Sequence, residues 1–139
     1  MFENPARSAI DELLRSSHSI AVIGLSDDPS RPSHHVARAL QRYGYRIVPV
    51  NPAVREILGE RSWPDLESAI AGVGAVDVVE VFRRPEYVAA IVEDAIRLKV
   101  PALWLQEGVI DEVAANRARA AGIFTVMNRC MLRDRSALS

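Results

Sequence analysis

Short apolar runs alternate with amphipathic stretches along most of this chain. Five runs rich in valine, isoleucine and leucine lie at residues 19–23, 45–50, 76–82, 101–105 and 123–127. Their length and composition are typical of strands buried on both faces of a sheet. Apolar positions between the runs recur at helical spacing, which predicts helices over residues 5–16, 33–43, 65–71, 86–98 and 110–121.

Strands that alternate with helices indicate βαβ units and a parallel sheet covered on both sides. We therefore predict an α/β fold, a three-layer Rossmann-like doubly wound parallel sheet of five to six strands. The sixth would be a short edge strand near residues 61–63, within an ambiguous stretch. The length of 139 residues suits one domain, and no linker or repeat divides it, so we expect a single domain over residues 1–139.

The composition of the chain argues against nucleic acid and membranes as partners and favours a reducing compartment. The net charge of −1 gives no general attraction to nucleic acid or to an anionic membrane. The basic residues are sixteen arginines and one lysine, Lys99. The single cysteine, Cys130, excludes an internal disulfide, and no apolar run is long enough to span a membrane. With no signal-like start either, we expect a cytoplasmic protein.

Polar and small residues follow each predicted strand. Such sheets bind ligands outside the carboxyl ends of their strands, where the strand order reverses. We expect the five following segments to lie along one edge and to supply a glycine, hydroxyl and amide groups, arginines, an aromatic ring and a thiol. These segments are residues 24–26, 51–52, 82–85, 106–108 and 128–130.

The loop after the first strand has the features of a phosphate site. Gly24 lets the chain turn tightly, and the following helix, with Ser33 as its expected N-cap, directs N–H groups and its dipole towards the loop. The hydroxyls of Ser26, Ser30 and Ser33 add hydrogen-bond donors. Arg31 adds a positive charge. We therefore expect this loop to hold a phosphate.

Two common nucleotide motifs are absent from the chain. The G-x-G-x-x-G fingerprint is missing, and the second strand ends in Asn51 rather than in the acidic residue that holds an NAD ribose. These features disfavour NAD, whereas Arg55 leaves NADP open because it could meet a 2′-phosphate. The absence of a P-loop argues against ATP or GTP hydrolysis.

Four stretches together resemble a known family. They are IAVIGLSDDPSRPSHHVARALQRYGYRIVPVNP, VDVVEVFRRPE, ALWLQEGV and VMNRC. They look like the small CoA-binding proteins of bacteria, which resemble the CoA-binding domain of succinyl-CoA synthetase α chains and of ADP-forming acyl-CoA synthetases. The resemblance spans about residues 15–131 and implies a Rossmann-like fold with coenzyme A as the cofactor. It does not carry over ligase activity, because the phosphohistidine and grasp domains have no counterpart in 139 residues.

The resemblance also implies which residues contact coenzyme A. Residues 24–26 would line the phosphate loop, and Arg31 would reach a phosphate. Residues 51–52 and 82–83 would flank the nucleotide, and residues 106–108 would face the pantetheine arm. The implied binding residues are thus Gly24, Leu25, Ser26, Arg31, Asn51, Pro52, Phe82, Arg83, Gln106 and Gly108. The synthetase loop is richer in glycine than this one.

The favoured hypothesis is a stand-alone CoA-binding protein without catalytic residues, acting as a carrier, sensor or partner subunit on CoA or acyl-CoA. The alternatives are an NADP- or acyl-CoA-handling enzyme that uses His35 or Cys130, and an accessory subunit of an acyl-CoA ligase. Cys130 is either an idle buried thiol or a neighbour of the CoA thiol. For the quaternary structure, two alternatives stay open: a homo-oligomer, and a complex with a synthetase-type partner.

Metal binding is not expected, since one cysteine and three histidines show no ligand spacing. Asp27 and Asp28 precede a proline, and we interpret them as turn residues rather than as metal ligands. Trp104 lies inside a predicted strand, where a place in the core is favoured over a stacking role.

Overall fold

A computed structural model describes residues 1–138 of the chain. The strands in that range are β1 (Ser19–Ile23), β2 (Arg46–Val50), β3 (Glu56–Ile57), β4 (Glu60–Arg61), β5 (Val78–Val81), β6 (Ala102–Leu105) and β7 (Phe124–Met127). The α-helices are α1 (Arg7–Ser16), α2 (Pro32–Arg42), α3 (Leu66–Val73), α4 (Val88–Arg97), α5 (Glu112–Ala120) and α6 (Met131–Ser136). A 3-10 turn at Pro85–Tyr87 leads into α4.

Five of the strands form one parallel sheet in the order β2-β1-β5-β6-β7. This confirms the predicted fold class, an α/β Rossmann-like doubly wound sheet. The chain leaves β1 towards β2 and then returns to the other side of β1 to form β5. The strand order therefore reverses between β1 and β5, and the ends of these two strands bound the crevice in which such sheets bind ligands.

The expected sixth edge strand is replaced by a smaller feature. β3 and β4 pair only with each other, as an antiparallel hairpin. Trp63 then makes a single parallel bridge to Val50 at the end of β2. The pairing stops there because Pro64 has no N–H to donate and Asp65 already caps α3, its side chain accepting from the N–H of Ser68.

Helices cover both faces of the sheet, and a separate apolar cluster fills each side. On one side α3, α4 and α5 contribute residues such as Leu66, Val92 and Ala115. On the other side α1, α2 and α6 contribute residues such as Leu14, Leu40 and Met131. Trp104 lies fully buried in the second cluster, and its indole N–H donates to the carbonyl of Arg129 over 2.8 Å. This contact confirms its place in the core.

None of the helices within residues 1–138 combines the length and apolar character required to cross a lipid bilayer.

Candidate functional site

Gly24 ends β1 and brings the first loop against β5. Its N–H donates to the carbonyl of Val50 over 3.0 Å, and its φ angle is +85°. A Cβ at this position would lie 2.3 Å from the carbonyl oxygen of Phe82, closer than any side chain tolerates. Only glycine allows both this backbone conformation and this approach. The loop after β1 and the end of β5 therefore meet at the reversal point of the sheet.

Hydrogen bonds between its own residues shape the first loop. The hydroxyl of Ser26 accepts from the N–H of Asp28 over 3.0 Å. The carboxylate of Asp28 accepts from both the N–H and the hydroxyl of Ser30, at 2.9 and 2.8 Å. These bonds hold the pKa of Asp28 below its ordinary value. Asp28 is thus a turn residue, as expected, whereas the Ser30 hydroxyl is already donated within the loop.

Ser33 and His34 anchor the loop to α2 in a way that corrects one prediction. α2 begins at Pro32, after Arg31, so Ser33 lies inside the helix and is not its N-cap. Its hydroxyl instead accepts from the N–H of Ser26 over 3.0 Å. His34 is buried, and its Nδ1 lies 3.0 Å from the carbonyl oxygen of Ser26. Because a carbonyl can only accept, this contact needs the proton on Nδ1.

Leu25 and Asn51 are structural members of the site. The Leu25 side chain is fully buried in the core, so this residue presents only its backbone to the edge. Its carbonyl accepts from the Asn51 side-chain amide over 2.9 Å. The Asn51 amide oxygen in turn accepts from the N–H of Ala53 over 2.8 Å. Asn51 therefore braces the loops after β1 and β2 against each other, with the exposed Pro52 beside it.

Two cavities meet at the reversal point. The first, called here the α3–α4 cavity, has a volume of about 430 Å³ and lies between Leu66 and Ile91. The second, called the loop cavity, has a volume of about 660 Å³ and reaches from Arg31 to Val109. Both are lined by the same four residues at their junction: Gly24, Ser26, Phe82 and Arg83. An elongated ligand could thus occupy both cavities and cross the junction.

Two arginines beside this junction, Arg31 and Arg83, have guanidinium groups that are available to a ligand. Within residues 1–138, neither Arg31 nor Arg83 forms an ion pair, and both are exposed. The Arg83 guanidinium stacks on the Tyr87 ring, 4.1 Å from its centre, so the side chain is positioned while its N–H groups stay available. Arg84 differs, because it pairs with Glu86 over 3.2 Å. Tyr87 was not among the predicted site residues, although its spacing of four residues from Arg83 was a usable signal.

Arg55 lies outside the junction. It lines a neighbouring cavity of about 490 Å³, together with Asn51, Pro52 and Arg61. This cavity lies against the hairpin of β3 and β4. A ligand bound at the junction can therefore contact Arg55 only through a group that extends past the end of β2.

The loop after β6 forms the far wall of the loop cavity. Gln106 is buried, and its side-chain oxygen accepts from the N–H of Met131 over 3.3 Å. The N–H of Gly108 donates to the side chain of Asn128 over 2.9 Å. Residues 106–109 all line the cavity. The polar groups of Gln106 and Gly108 thus hold the loops after β6 and β7 together as well as facing the cavity.

The two candidate catalytic side chains are not part of the lining of either cavity. His35 is exposed on α2, and Cys130 is half-buried against the apolar cluster that contains Met131. Neither residue lines the α3–α4 cavity or the loop cavity. No group of three or more His, Cys, Asp or Glu side chains within residues 1–138 is arranged to hold a metal ion.

Glu80 is a buried acidic residue that the sequence analysis did not single out. It lies in β5, two residues before Phe82, between Val22 of β1 and Trp104 of β6 in the strand register. Its side chain is fully buried, and neither carboxyl oxygen has a hydrogen-bond partner in the described residues. This burial raises its pKa to about 8. A carboxyl group within a strand buried on both faces was the available signal.

Comparison with known proteins agrees with this geometry. The chain is 38% identical over 129 residues to the uncharacterized protein YneT of Bacillus subtilis. The aligned region covers 93% of this chain and 93% of that protein. It superimposes on a hypothetical protein from Pyrococcus horikoshii with a TM-score of 0.88 and 31% identity, over 99% of both chains. A protein from Thermus thermophilus gives a TM-score of 0.85 and 31% identity, over 95% of this chain and 98% of that one.

The profile of one protein family matches residues 18–135. This range begins one residue before β1 and ends one residue before the end of α6. The matched range includes the reversal point, both cavities and the loops that line them. The chain therefore belongs to the CoA binding domain family.

Proposed function

We propose that this protein binds coenzyme A across the α3–α4 cavity and the loop cavity, and acts as a stand-alone, non-catalytic carrier or sensor of CoA or acyl-CoA. The observation that carries the proposal is the meeting of two cavities at Gly24, beside Arg83, which forms no ion pair within residues 1–138. Coenzyme A is an elongated ligand whose diphosphate joins a nucleotide to a pantetheine arm. It suits two cavities with a cationic junction.

The junction has the chemistry that a diphosphate requires. The N–H groups in the first turn of α2 have no partners within the helix. They lie at the positive end of the helix dipole, next to the first loop. Arg31 and Arg83 add guanidinium groups, which form short, often bidentate hydrogen bonds with phosphate. Gly24 and the backbone of Leu25 keep the loop free of side-chain bulk. These residues fit the diphosphate of coenzyme A.

Two walls suit the rest of the molecule. The α3–α4 cavity, with Pro52 and Phe82 beside it, fits the nucleotide. The wall at residues 106–109 fits the pantetheine arm, whose amide groups can pair with polar groups of that loop. A non-catalytic role is supported by His35 and Cys130, which line neither cavity. Turnover of acetyl-CoA by the purified chain would contradict this part of the proposal.

Native mass spectrometry of the purified protein tests the ligand directly. We expect an added mass equal to that of CoA or of an acyl-CoA. Bound NADP would overturn the proposal and support the alternative of an NADP-linked enzyme. A protein purified without ligand is then titrated with CoA and with NADP by calorimetry, and we expect heat of binding only with CoA.

Ser26→Asp is expected to weaken CoA binding about tenfold or more, whereas Ser68→Asp leaves it unchanged. Both serines are half-buried, and each substitution adds one negative charge. Only Ser26 lines the junction, where the new charge would repel a diphosphate. Aspartate at position 26 can still accept from the N–H of Asp28, so the loop turn is kept. Equal affinities of the two variants by calorimetry would remove the first loop from the site.

Dephospho-CoA is expected to bind about ten- to a hundredfold more weakly than CoA. It lacks only the 3′-phosphate, and a hydrogen bond between a phosphate and an arginine contributes about 1.5–3 kcal/mol. The candidate readers of this phosphate are Arg31, Arg55 and Arg83. Alanine at the correct position should weaken CoA and leave dephospho-CoA nearly unchanged, which a ligand-by-variant cycle measures. Equal calorimetric affinities would show that this phosphate lies in solvent and is not recognised.

A further inference from the structure

A further concavity, called here the α4–α5 groove, lies beside the loop cavity and plays no part in the proposed contacts with CoA. Its volume is about 190 Å³, and its apolar walls are Ala89 and Val92 of α4 with Val113 and Ala114 of α5. Val113 is 82% exposed, and the neighbouring Ile110 is 47% exposed. These two branched aliphatic side chains thus lie at the surface beside the start of α5.

The charged groups of this groove already have partners. Arg117 and Glu93 form two parallel hydrogen bonds across it, of 2.9 and 3.0 Å. The carboxylate of Asp111 accepts from the N–H of Ala114 over 3.0 Å, as the N-cap of α5. Glu93 and Arg117 thus compensate each other's charge, Asp111 is held as a helix cap, and the remaining lining of the groove is apolar. Its chemistry favours a neutral hydrocarbon.

The groove continues the path of the loop cavity. The loop cavity extends to Pro85 and Val109. The groove begins at Ala89, about one helical turn after Pro85, and at Asp111, two residues after Val109. The loop after β6, which faces the pantetheine arm in the proposed CoA site, leads directly into the start of α5, which lines the groove. A group attached to the end of that arm therefore meets the groove next.

We propose that the α4–α5 groove holds the acyl chain of an acyl-CoA, with a preference for chains of about four to eight carbons. The proposal rests on the proposed CoA site, and it names the ligand as a thioester of CoA with an unbranched fatty acid. An apolar cavity of about 150 Å³ accommodates benzene, so a groove of about 190 Å³ has room for a chain of this length.

Calorimetric titration with CoA, acetyl-CoA, butyryl-CoA and hexanoyl-CoA tests the proposal. We expect the affinity to rise about two- to fourfold for each methylene that the groove buries, and at least about tenfold from acetyl-CoA to hexanoyl-CoA. Affinities that stay level across the series, with CoA itself bound, would overturn the acyl groove and leave the CoA site intact. Absence of binding by CoA and by every thioester would overturn the proposed function itself.

Substitutions of Val113 locate the chain. Val113→Thr keeps the shape of the side chain, and Val113→Asp adds a charge to the wall. Both should lower the ratio of hexanoyl-CoA affinity to CoA affinity, Val113→Asp by about fivefold or more. Ala71→Asp, at an exposed position of α3 that lines neither the groove nor the two CoA cavities, is the matched control and should leave the ratio unchanged. A ratio that Val113→Asp does not alter would place the chain elsewhere and overturn the assignment.

Discussion

The free energy of unfolding of the wild-type protein is expected to fall by about 3 to 5 kcal/mol as the pH rises past about 8, and Glu80→Gln is expected to abolish this fall. The pKa of Glu80 is raised by burial from the ordinary value of 4.5 to about 8. Each unit of pKa difference between the folded and unfolded states corresponds to about 1.4 kcal/mol. Neither carboxyl oxygen has a partner within residues 1–138 that could offset the cost of ionisation.

The direction of the effect follows from where the proton is held. Below pH 4.5 Glu80 is protonated in both states, and the protein keeps its full stability. Between pH 4.5 and about 8 the unfolded chain releases this proton while the folded protein retains it, so the free energy of unfolding falls as the pH rises. Above about pH 8 both states are ionised and the loss is complete. Glutamine has no proton to release and avoids this loss.

Urea unfolding at pH 5 and pH 9 measures the effect. The quantity compared is the change in the free energy of unfolding between the two pH values, because this difference cancels any fixed cost of burying an amide. We expect the change to be smaller in Glu80→Gln than in the wild-type protein by about 3 to 5 kcal/mol. The control is Glu12→Gln at an exposed position of α1, which should behave as wild type. Identical pH profiles for wild type and Glu80→Gln would show that Glu80 finds a partner or water.

Gly24→Ala is expected to lower the free energy of unfolding by about 2 to 5 kcal/mol and to weaken CoA binding. Two costs combine at this position. The φ angle of +85° costs a residue with a Cβ about 1 to 2 kcal/mol. The new methyl group would also lie 2.3 Å from the backbone oxygen of Phe82, and relieving that overlap adds about 1 to 3 kcal/mol. Relief requires the loop after β1 to move away from β5, which would disturb the junction of the two cavities.

Gly59→Ala separates the two costs. Gly59 also has a positive φ angle, of +77°, but an added methyl group there would have no neighbour within 4 Å. This variant should lose only the backbone cost and should bind CoA as the wild type does. Thermal and urea unfolding of both variants, with calorimetric titration of CoA, provide the comparison. If Gly24→Ala is no less stable than Gly59→Ala, the close approach of the loop to Phe82 is not important for the fold.

The elements of the fold follow from local patterns. Each apolar run and each helical repeat is a property of neighbouring residues, so the five strands of the sheet and five of the six α-helices within residues 1–138 were predicted close to their observed bounds. The short helix α6 was not predicted. The alternation of strands and helices also determined the parallel sheet, and hence the edge at which all five carboxyl-terminal segments lie. The sheet has five strands, within the predicted five to six, and near residue 62 only a single bridge from Trp63 to Val50 forms. Pairing there depends on where β2 ends in space, which no local pattern specifies.

The roles of the individual site residues depend on contacts between distant parts of the chain. Leu25 was expected to line the site, but the chain path directs its side chain into the core. Asn51 was expected beside the nucleotide; it lines the α3–α4 cavity, and its amide also donates to the carbonyl of Leu25, 26 residues away. Ser33 was expected to cap α2, and its hydroxyl instead accepts from Ser26. No local pattern specifies such partners, because a hydroxyl or amide bonds whichever group the fold brings near.

The sequence by itself thus determined the α/β architecture, the edge that carries the candidate site and, through the four family-like stretches, membership of a CoA-binding family. Only the tertiary structure decided that two cavities share Gly24 and Arg83, and that Glu80 is buried without a hydrogen-bond partner among residues 1–138. The physical reason is the range of the interactions. Periodicity and turn chemistry act between near neighbours, whereas burial, pKa and cavity shape arise from residues that approach only when the sheet and its helices have assembled.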